Sequence, residues 1–467
     1  MKKTHLIKNR VALKRFLKQL KRNKRKTAKR RELQKRYEKA KPSIKNEKSY
    51  QNALENWLPI NLSYLVSCEE SDFHFLKIIK NIPENEGIFK VPKEFSIIDF
   101  PKESFKFIQN VLGALLLQKY QKVYIDYGEC VRLDLGAQAL FDIILKDVFT
   151  FYNTCKLYKA TRPRVKEING INIVNRDVHK LLFSVGSPVI FNNKSFHYPD
   201  IIPYKLCIHN NDMEGDQAKM REQKDIDTTK LVDYVLDCLK RLKRTLTAEK
   251  LDDLSTVIGE TLINAEEHST TKHRFSIGYF HEITEGDKHY GVFRLTILNF
   301  GKTIYEKFKD PQCANKSVVQ KMKNLSEQYT KSNFFSFKKF EEETLWTLYA
   351  LQEGVTSIPE ERYKKRGNGS IQFIESFFNI KGKMKENDDL SLMSILSGNT
   401  NILFDGTYNI TSKQIDGDDY KFMTFNESGN IDDKPDSKFV KFADNYFPGT
   451  IISAKILFNE DDLTEEL

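Results

Sequence analysis

VIGETLINAEEHS, Val257 to Ser269, is the stretch on which the reading of the chain turns. At about 100° per residue, Leu254, Ile258, Leu262 and Ala265 gather on one side of a helix, and Glu260, Asn264 and Glu267 project from another. An acid and an amide one turn apart, backed by an apolar stripe, describe a helix that packs on one face and offers polar chemistry on the other. Just upstream, TTKLVDYVLDCLKRL carries Leu231, Val235, Leu239 and Leu242 on one stripe and predicts a second amphipathic helix. Downstream, RFSIGYFHEI and YGVFRLTILNFG read as strands joined by a turn at TEGDKH, and the second delivers Asn299 and Gly301 into a loop. About 60 residues later, YKKRGNGSIQFIESFF places Gly367 and Gly369 at the opening of a helix with Ile371, Ile374 and Phe378 as its apolar positions. Near the C-terminus, YFPGTIISAKILF sets Gly449 and Thr450 at the head of a buried strand.

Taken in order, the E-x-x-x-N helix, the strand ending in an amide and x-G, the glycine-rich turn opening a helix and the final G-T strand resemble the GHKL ATP-binding fold. The likeness spans roughly residues 225 to 460 and is nearest the anti-sigma kinase and histidine-kinase form, through ETLINAEEHS. It implies an α/β sandwich, a mixed sheet with helices on one face, that binds ATP with Mg2+. By the same resemblance Asn264 holds the Mg2+ that bridges the phosphates, and Glu260 is the catalytic residue that polarises an attacking water. Asn299, Gly301 and Thr450 meet the base, and Arg366, Gly367 and Gly369 receive the phosphates. These residue types suit those tasks. A hard cation accepts an amide oxygen while keeping several waters. Glycines let the backbone approach an anion that a helix N-terminus favours. The chain departs from the family at Asn299, where an aspartate is usual, although an amide carbonyl accepts the same hydrogen bond. It departs again at Thr303, in place of the second glycine of D-x-G-x-G, and in the long loop from 302 to 365. Within that loop LYALQEGVTS, Leu348 to Ser357, resembles a lid segment.

The N-terminal half alternates strand-like and helical text. KVYIDYG, Lys122 to Gly128, reads as a buried strand between the helices ESFKFIQNVLGALLLQKY and LGAQALFDIILKDVFTFY, an order that favours a sheet covered by helices. From about residue 85 to 200 this resembles a STAS domain, the fold of the anti-anti-sigma factors, with LDLG, Leu133 to Gly136, at the D-S-S-G turn. Leu135 occupies the place of the family's phosphorylated serine. The polar stretch HNNDMEGDQAKMREQKDIDTT reads as a linker. The expected division is therefore a basic helical arm over 1–50, a STAS-like domain over 51–210 and a GHKL domain over 211–467.

Charge separates the arm from the rest. Residues 1–45 carry 20 Lys or Arg against two acids, a net of +18, whereas the whole chain stands at +11, so the remainder is −7. Leu13, Phe16, Leu17 and Leu20 give the arm only a short apolar seam. Beyond it Lys21, Arg22, Lys24, Arg25, Lys26, Lys29, Arg30 and Arg31 would repel one another unless solvated or set against a polyanion, which makes them the candidate nucleic-acid contacts. Six scattered cysteines without a C-x-x-C pair argue against a disulfide framework or a zinc knuckle, and His209, His273, His281 and His289 share no ligand spacing. No apolar run approaches the roughly 20 residues that cross a bilayer, which points to a cytoplasmic protein without a membrane partner. The expected function is an ATP-binding regulator whose GHKL domain acts as an Mg-ATP-gated switch on a protein partner, with nucleic acid held through the arm. Two alternatives stand beside it: an anti-sigma-type serine/threonine kinase or slow ATPase, and a nucleic-acid-binding component of a stress or phage-defence complex with a vestigial nucleotide site.

Overall fold

The structure, a computed structural model, describes residues 44–80, 86–157, 164–190, 198–210, 217–267, 269–285, 288–330, 340–355, 357, 369–381, 391–415, 418–458 and 463–465. The basic residues from Lys21 to Arg31, together with Arg366 and Gly367, lie outside the described residues, as does the side chain of Asn264. No helix among the described residues is long and apolar enough to cross a membrane. The chain divides into two compact units, one made of Met1–Leu182 and Ser187–Lys194, the other of Phe183–Gly186 and Ser195–Leu467.

The N-terminal unit begins with helices α1 (Ile44–Asn56), α2 (Ile60–Ser67) and α3 (Phe75–Lys80). Strands β1 (Ile88–Lys90), β3 (Lys122–Asp126) and β5 (Glu167–Ile171) form a parallel sheet in that order, and β2 (Glu94–Phe95) pairs in parallel with β4 (Arg132–Leu133). Parallel neighbours need a crossover. Helices α4 (Pro101–Leu116) and α5 (Leu135–Leu157) provide it, and α6 (Arg176–Val185) follows β5. From Leu135 to Leu145 every residue of α5 is buried, on all sides of the helix. The LDLG turn opens it: the Asp134 carboxylate accepts hydrogen bonds from the Gly136 and Ala137 amides at 3.3 and 3.4 Å, an N-cap. Leu135 is buried beside this cap. Further along α5, Gln138 and Ser187 donate to Asp142 Oδ1, both at 2.7 Å, and Tyr127 donates to Gln138 at 3.1 Å. Asp142 Oδ2 is buried without a hydrogen-bond partner, and burial pushes the carboxyl up to about 7.

In the C-terminal unit β6 (Ile201–Asn210) is followed by α7 (Gln217–Arg241), β7 (Arg244–Leu246), α8 (Ala248–Glu267) and the hairpin of β8 (Ser269–Glu285) and β9 (Lys288–Gly301). Helices α9 (Ile304–Lys309), α10 (Lys316–Thr330), α11 (Glu342–Tyr349) and α12 (Gly369–Lys381) come next. Strands β10 (Leu392–Phe404), β11 (Thr411–Ile415), β12 (Asp418–Phe422), β13 (Val440–Phe458) and β14 (Leu463–Glu465) complete the order. The main sheet runs β10-β13-β9-β8-β6.

Three sequence expectations change here. All four pairings of the five-stranded sheet are antiparallel, so the sheet is not mixed. Two helices, α7 and α8, separate β6 from β8; the chain crosses back twice and arrives antiparallel, where a single crossover would leave the strands parallel. The expected linker is helical from Gln217 onward, because no Gly or Pro interrupts QAKMREQKDIDTT and its residues are mostly tolerant of a helix. Strand β6, assigned from sequence to the first domain, is an edge of the second unit's sheet.

One face of that sheet packs against helices. Val235 and Leu239 of α7, Leu254 and Ile258 of α8, and Phe373 and Phe377 of α12 share a core with Leu295 and Ile297 of β9 and Ile452 and Ile456 of β13. Odd positions in β9 and even positions in β13 thus face the helices, and alternate positions such as Leu298, Phe300 and Ile451 are buried as well, so the central strands are covered on both faces.

Candidate functional site

The helix-facing side of the sheet is organised in cross-strand rows, since residues directly opposite one another share a face. One row reads Ile395, Ile452, Ile297, Ser276 and Cys207 from β10 to β6, and the row before it Met393, Ala454, Leu295, Gly278 and Tyr204. Two residues further along in the other direction, the row becomes polar on every strand: Ser397, Thr450, Asn299, Arg274 and His209. Ser397 and Asn299 are fully buried, and Thr450 and Arg274 nearly so.

The members of this row bond to one another and to the helices above. Asn299 Oδ1 accepts the Thr450 amide at 2.9 Å. The Thr450 and Ser397 hydroxyls lie 3.0 Å apart, and Ser397 Oγ also accepts the Ile304 amide at 3.0 Å, fixing the start of α9. Close approach of β13 to β9 depends on Gly449, with φ +154°: a Cβ there would lie 2.1 Å from the Asn299 carbonyl oxygen. Thr303 is the N-cap of α9, in a capping box with Glu306, which accounts for a threonine where the resemblance implies glycine. Beside Ser397, β10 has a register break at Gly398, and Glu343 of α11 accepts the Asn399 amide at 2.6 Å. Burial raises the Glu343 carboxyl to about 7.

At the other end of the row, Arg274 Nη2 lies 2.5 Å from Asp227 of α7, and its Nη1 reaches the Leu262 carbonyl of α8 at 3.5 Å. His209 Nδ1 stands 2.8 Å from the same Asp227 oxygen, and Gln223 donates to the other at 2.9 Å. Burial raises the Asp227 pKa, but the His209 and Gln223 hydrogen bonds and the charge of Arg274 outweigh it and hold the group below its ordinary value.

Glu260, half-buried on α8, meets the first residue of α12. A Cβ placed on Gly369 would come within 2.1 Å of Glu260 Oε2, so a larger residue there would have to displace the end of the Glu260 side chain. The partial positive charge at the N-terminus of α12 favours an anion, and the Glu260 carboxylate lies beside it.

The structure therefore brings Asn299 to Thr450, with Gly301 buried at the end of the same strand, and brings Glu260 to Gly369. Asn264 lies one turn beyond Glu260 on α8. Sequence reading missed Ser397, Arg274 and Asp227, and took His209 only as a histidine without metal-ligand spacing. LMSILSGNT and HRFSIGYF show the alternation that puts Ser397 and Arg274 in phase with the inward positions, but their meeting depends on strand register. No group of three or more His, Cys, Asp or Glu among the described residues could hold a metal ion. An Mg2+ site would rest on amide oxygen and phosphate. Comparison of the chain with protein-family models, with curated proteins and with solved structures gives no match.

Proposed function

We propose that the C-terminal unit is an ATP-binding module of the GHKL kind, and that the protein is a regulator in which bound Mg-ATP switches its hold on a macromolecular partner. The observation that carries this reading is the polar row. A sheet built only to pack would continue its apolar rows, since each buried polar group needs a partner and gains little net stability from it. Five strands instead contribute serine, threonine, asparagine, arginine and histidine at one level. Element order supports the reading as well: an acid-bearing helix, a hairpin with Asn299 near the end of its second strand, a glycine-opened helix and, as the last strand of the main sheet, β13 with Thr450.

In this reading the Asn299 amide and Thr450 hydroxyl meet the polar edge of the base. Asn264 holds the cation, and the N-terminus of α12 receives phosphate once Glu260 shares or leaves that position. Mg2+ supplies charge neutralisation between the phosphates.

Calorimetric titration of the full chain with ATP, with and without Mg2+, tests the reading. Binding is expected, with a thermal stabilisation of about 2.7 kcal/mol at 100 times the dissociation constant. Asn264→Ala should remove the Mg2+-dependent part of the affinity, and Asn299→Leu the base-dependent part. Failure to bind ATP or ADP in either condition overturns the assignment. Phosphate release lost in Glu260→Gln with binding retained would place the protein among hydrolysing members, and transfer of labelled phosphate to a protein would place it among kinases.

A further inference from the structure

We infer that the Arg274–Asp227 ion pair is a positioning device, which sets the second half of α8, the turn bearing Asn264, on the polar row of the sheet. The inference rests on the nucleotide reading for its purpose, and on the geometry of the pair for its existence.

Both partners are almost completely buried, with side-chain exposures of 3% and 4%. A buried ion pair is a poor source of stability, because desolvating two charges offsets most of their attraction, and apolar replacements of similar volume are often as stable. Its retention is better explained by what it joins. Arg274 stands in the row on β8, opposite Asn299 on one side and His209 on the other. Its guanidinium leaves the sheet in two directions, to the Asp227 carboxylate on α7 and to the Leu262 carbonyl on α8. A planar fork with several fixed donors can hold two elements at one angle; an apolar side chain cannot. Asp227 is itself held by Gln223 on its own helix and by His209 on β6, and His209 Nε2 lies 3.5 Å from Ser276 Oγ of β8.

The reach to Leu262 matters because of where it falls. Leu262 lies between Glu260 and Asn264 on α8, which ends at Glu267. The Leu262 carbonyl stands within the helical ladder, five residues before the end of α8, and a carbonyl oxygen has a second lone pair, so the Arg274 contact ties the last turns of the helix to the sheet in addition to their own hydrogen bonds. The apolar face of α8 packs through Leu254, Val257, Ile258 and, last, Leu262. The Arg274 contact falls at this last packed residue, on the side towards the end that carries the amide assigned to Mg2+. Arg274 is thus a positioning residue that acts through α8.

The test uses the full chain and the double variant Asp227→Leu/Arg274→Met, which replaces the pair by apolar groups and leaves no lone buried charge. His209 and Gln223 are accessible enough for water to replace their lost partner. The expected result is a nearly unchanged thermal midpoint, with amide hydrogen exchange at least about ten-fold faster over residues 258–267 and unchanged in α12 and β9. Exchange that stays the same in α8, or rises evenly through the unit, overturns the inference. If the double variant proves unstable, Arg274→Lys decides: it keeps a cation facing Asp227 but lacks the fork, and exchange in α8 should still rise. A protected α8 in that variant also overturns the inference. Titration with Mg-ATP separates the two readings. A wild-type chain that binds no nucleotide removes the proposed function while exchange still decides the anchoring. A wild-type chain that binds Mg-ATP no more tightly than the double variant removes the positioning role. The expected loss in Mg2+-dependent affinity is about ten-fold.

Discussion

Asp142 shows how one buried group can make stability depend on pH. Its carboxyl titrates at about 7 in the folded chain, against about 3.9 for an unfolded aspartate. A folded-state value above the unfolded one means that the native state holds the proton more tightly. Stability from this group is complete below about pH 4, declines as pH rises towards 7, and stays at its lower level above that. About three pH units correspond to roughly 4 kcal/mol. Asp142→Asn keeps an acceptor for Gln138 and Ser187 and cannot ionise. Its urea midpoint at pH 8 should exceed that of the wild type, and its profile between pH 4 and 8 should be flatter. Gly449 is the second residue whose replacement has a foreseeable cost. A Cβ there meets a backbone oxygen, which cannot swing aside as a side chain would. Gly449→Ala should lower stability by roughly 1–3 kcal/mol in thermal unfolding and weaken the Asn299–Thr450 bond that depends on the same approach.

Between elements, α8 and α12 meet through their shared apolar core and an Asn379–Asp253 hydrogen bond of 3.2 Å, and at the start of α12 a carboxylate, Glu260, lies against a glycine, Gly369. Gly369→Ala should destabilise through displacement of Glu260, and Glu260→Ala in the same chain should recover much of the loss. A coupling energy of about 1 kcal/mol or more in the double-mutant cycle checks this, whereas additive effects would show that the two side chains do not meet. This scale also shows where the sequence could be read and where it could not. Periods of 3.6 and 2 exposed α8, β8, β9, α12 and β13, because amphipathic packing imprints itself locally. The same patterns hid α7's first turns in a polar stretch, since a solvated helix face and a loop have similar composition. Asn299 was legible as a strand-end residue; Thr450, expected at the head of a strand, lies in the middle of β13, which begins at Val440, and the pair was not legible as hydrogen-bonded partners. Ser397 and Arg274 were not legible as site residues at all, because membership of the row is a property of five registers, and a slip of one residue in any strand would turn that member to the opposite face.

Over the whole molecule, charge is distributed as unevenly as chemistry. With +18 in the first 45 residues and −7 in the remainder, a chain lacking those residues should lose affinity for RNA or DNA while keeping nucleotide binding. Binding by the intact chain should weaken with salt at a log-log slope of about −0.7 to −0.9 per phosphate contacted, with little preference for base sequence. Equal affinity of the truncated chain at the same salt would place recognition elsewhere. The polar row has a consequence in time as well as in space. It gathers residues from His209 to Thr450, and its central bond joins positions 151 apart in the chain. Pairings of such high contact order close late. On a ribosome the parallel sheet of the first unit can assemble while β13 is still unmade, and β6, β8 and β9 must wait beside an open edge until β13 emerges. A chain without β13 therefore holds three of the five members of the row in register, because β10 joins the sheet through β13, and none of the Asn299–Thr450 pair, so that competence to bind would mark a chain in which β13 has been made and docked.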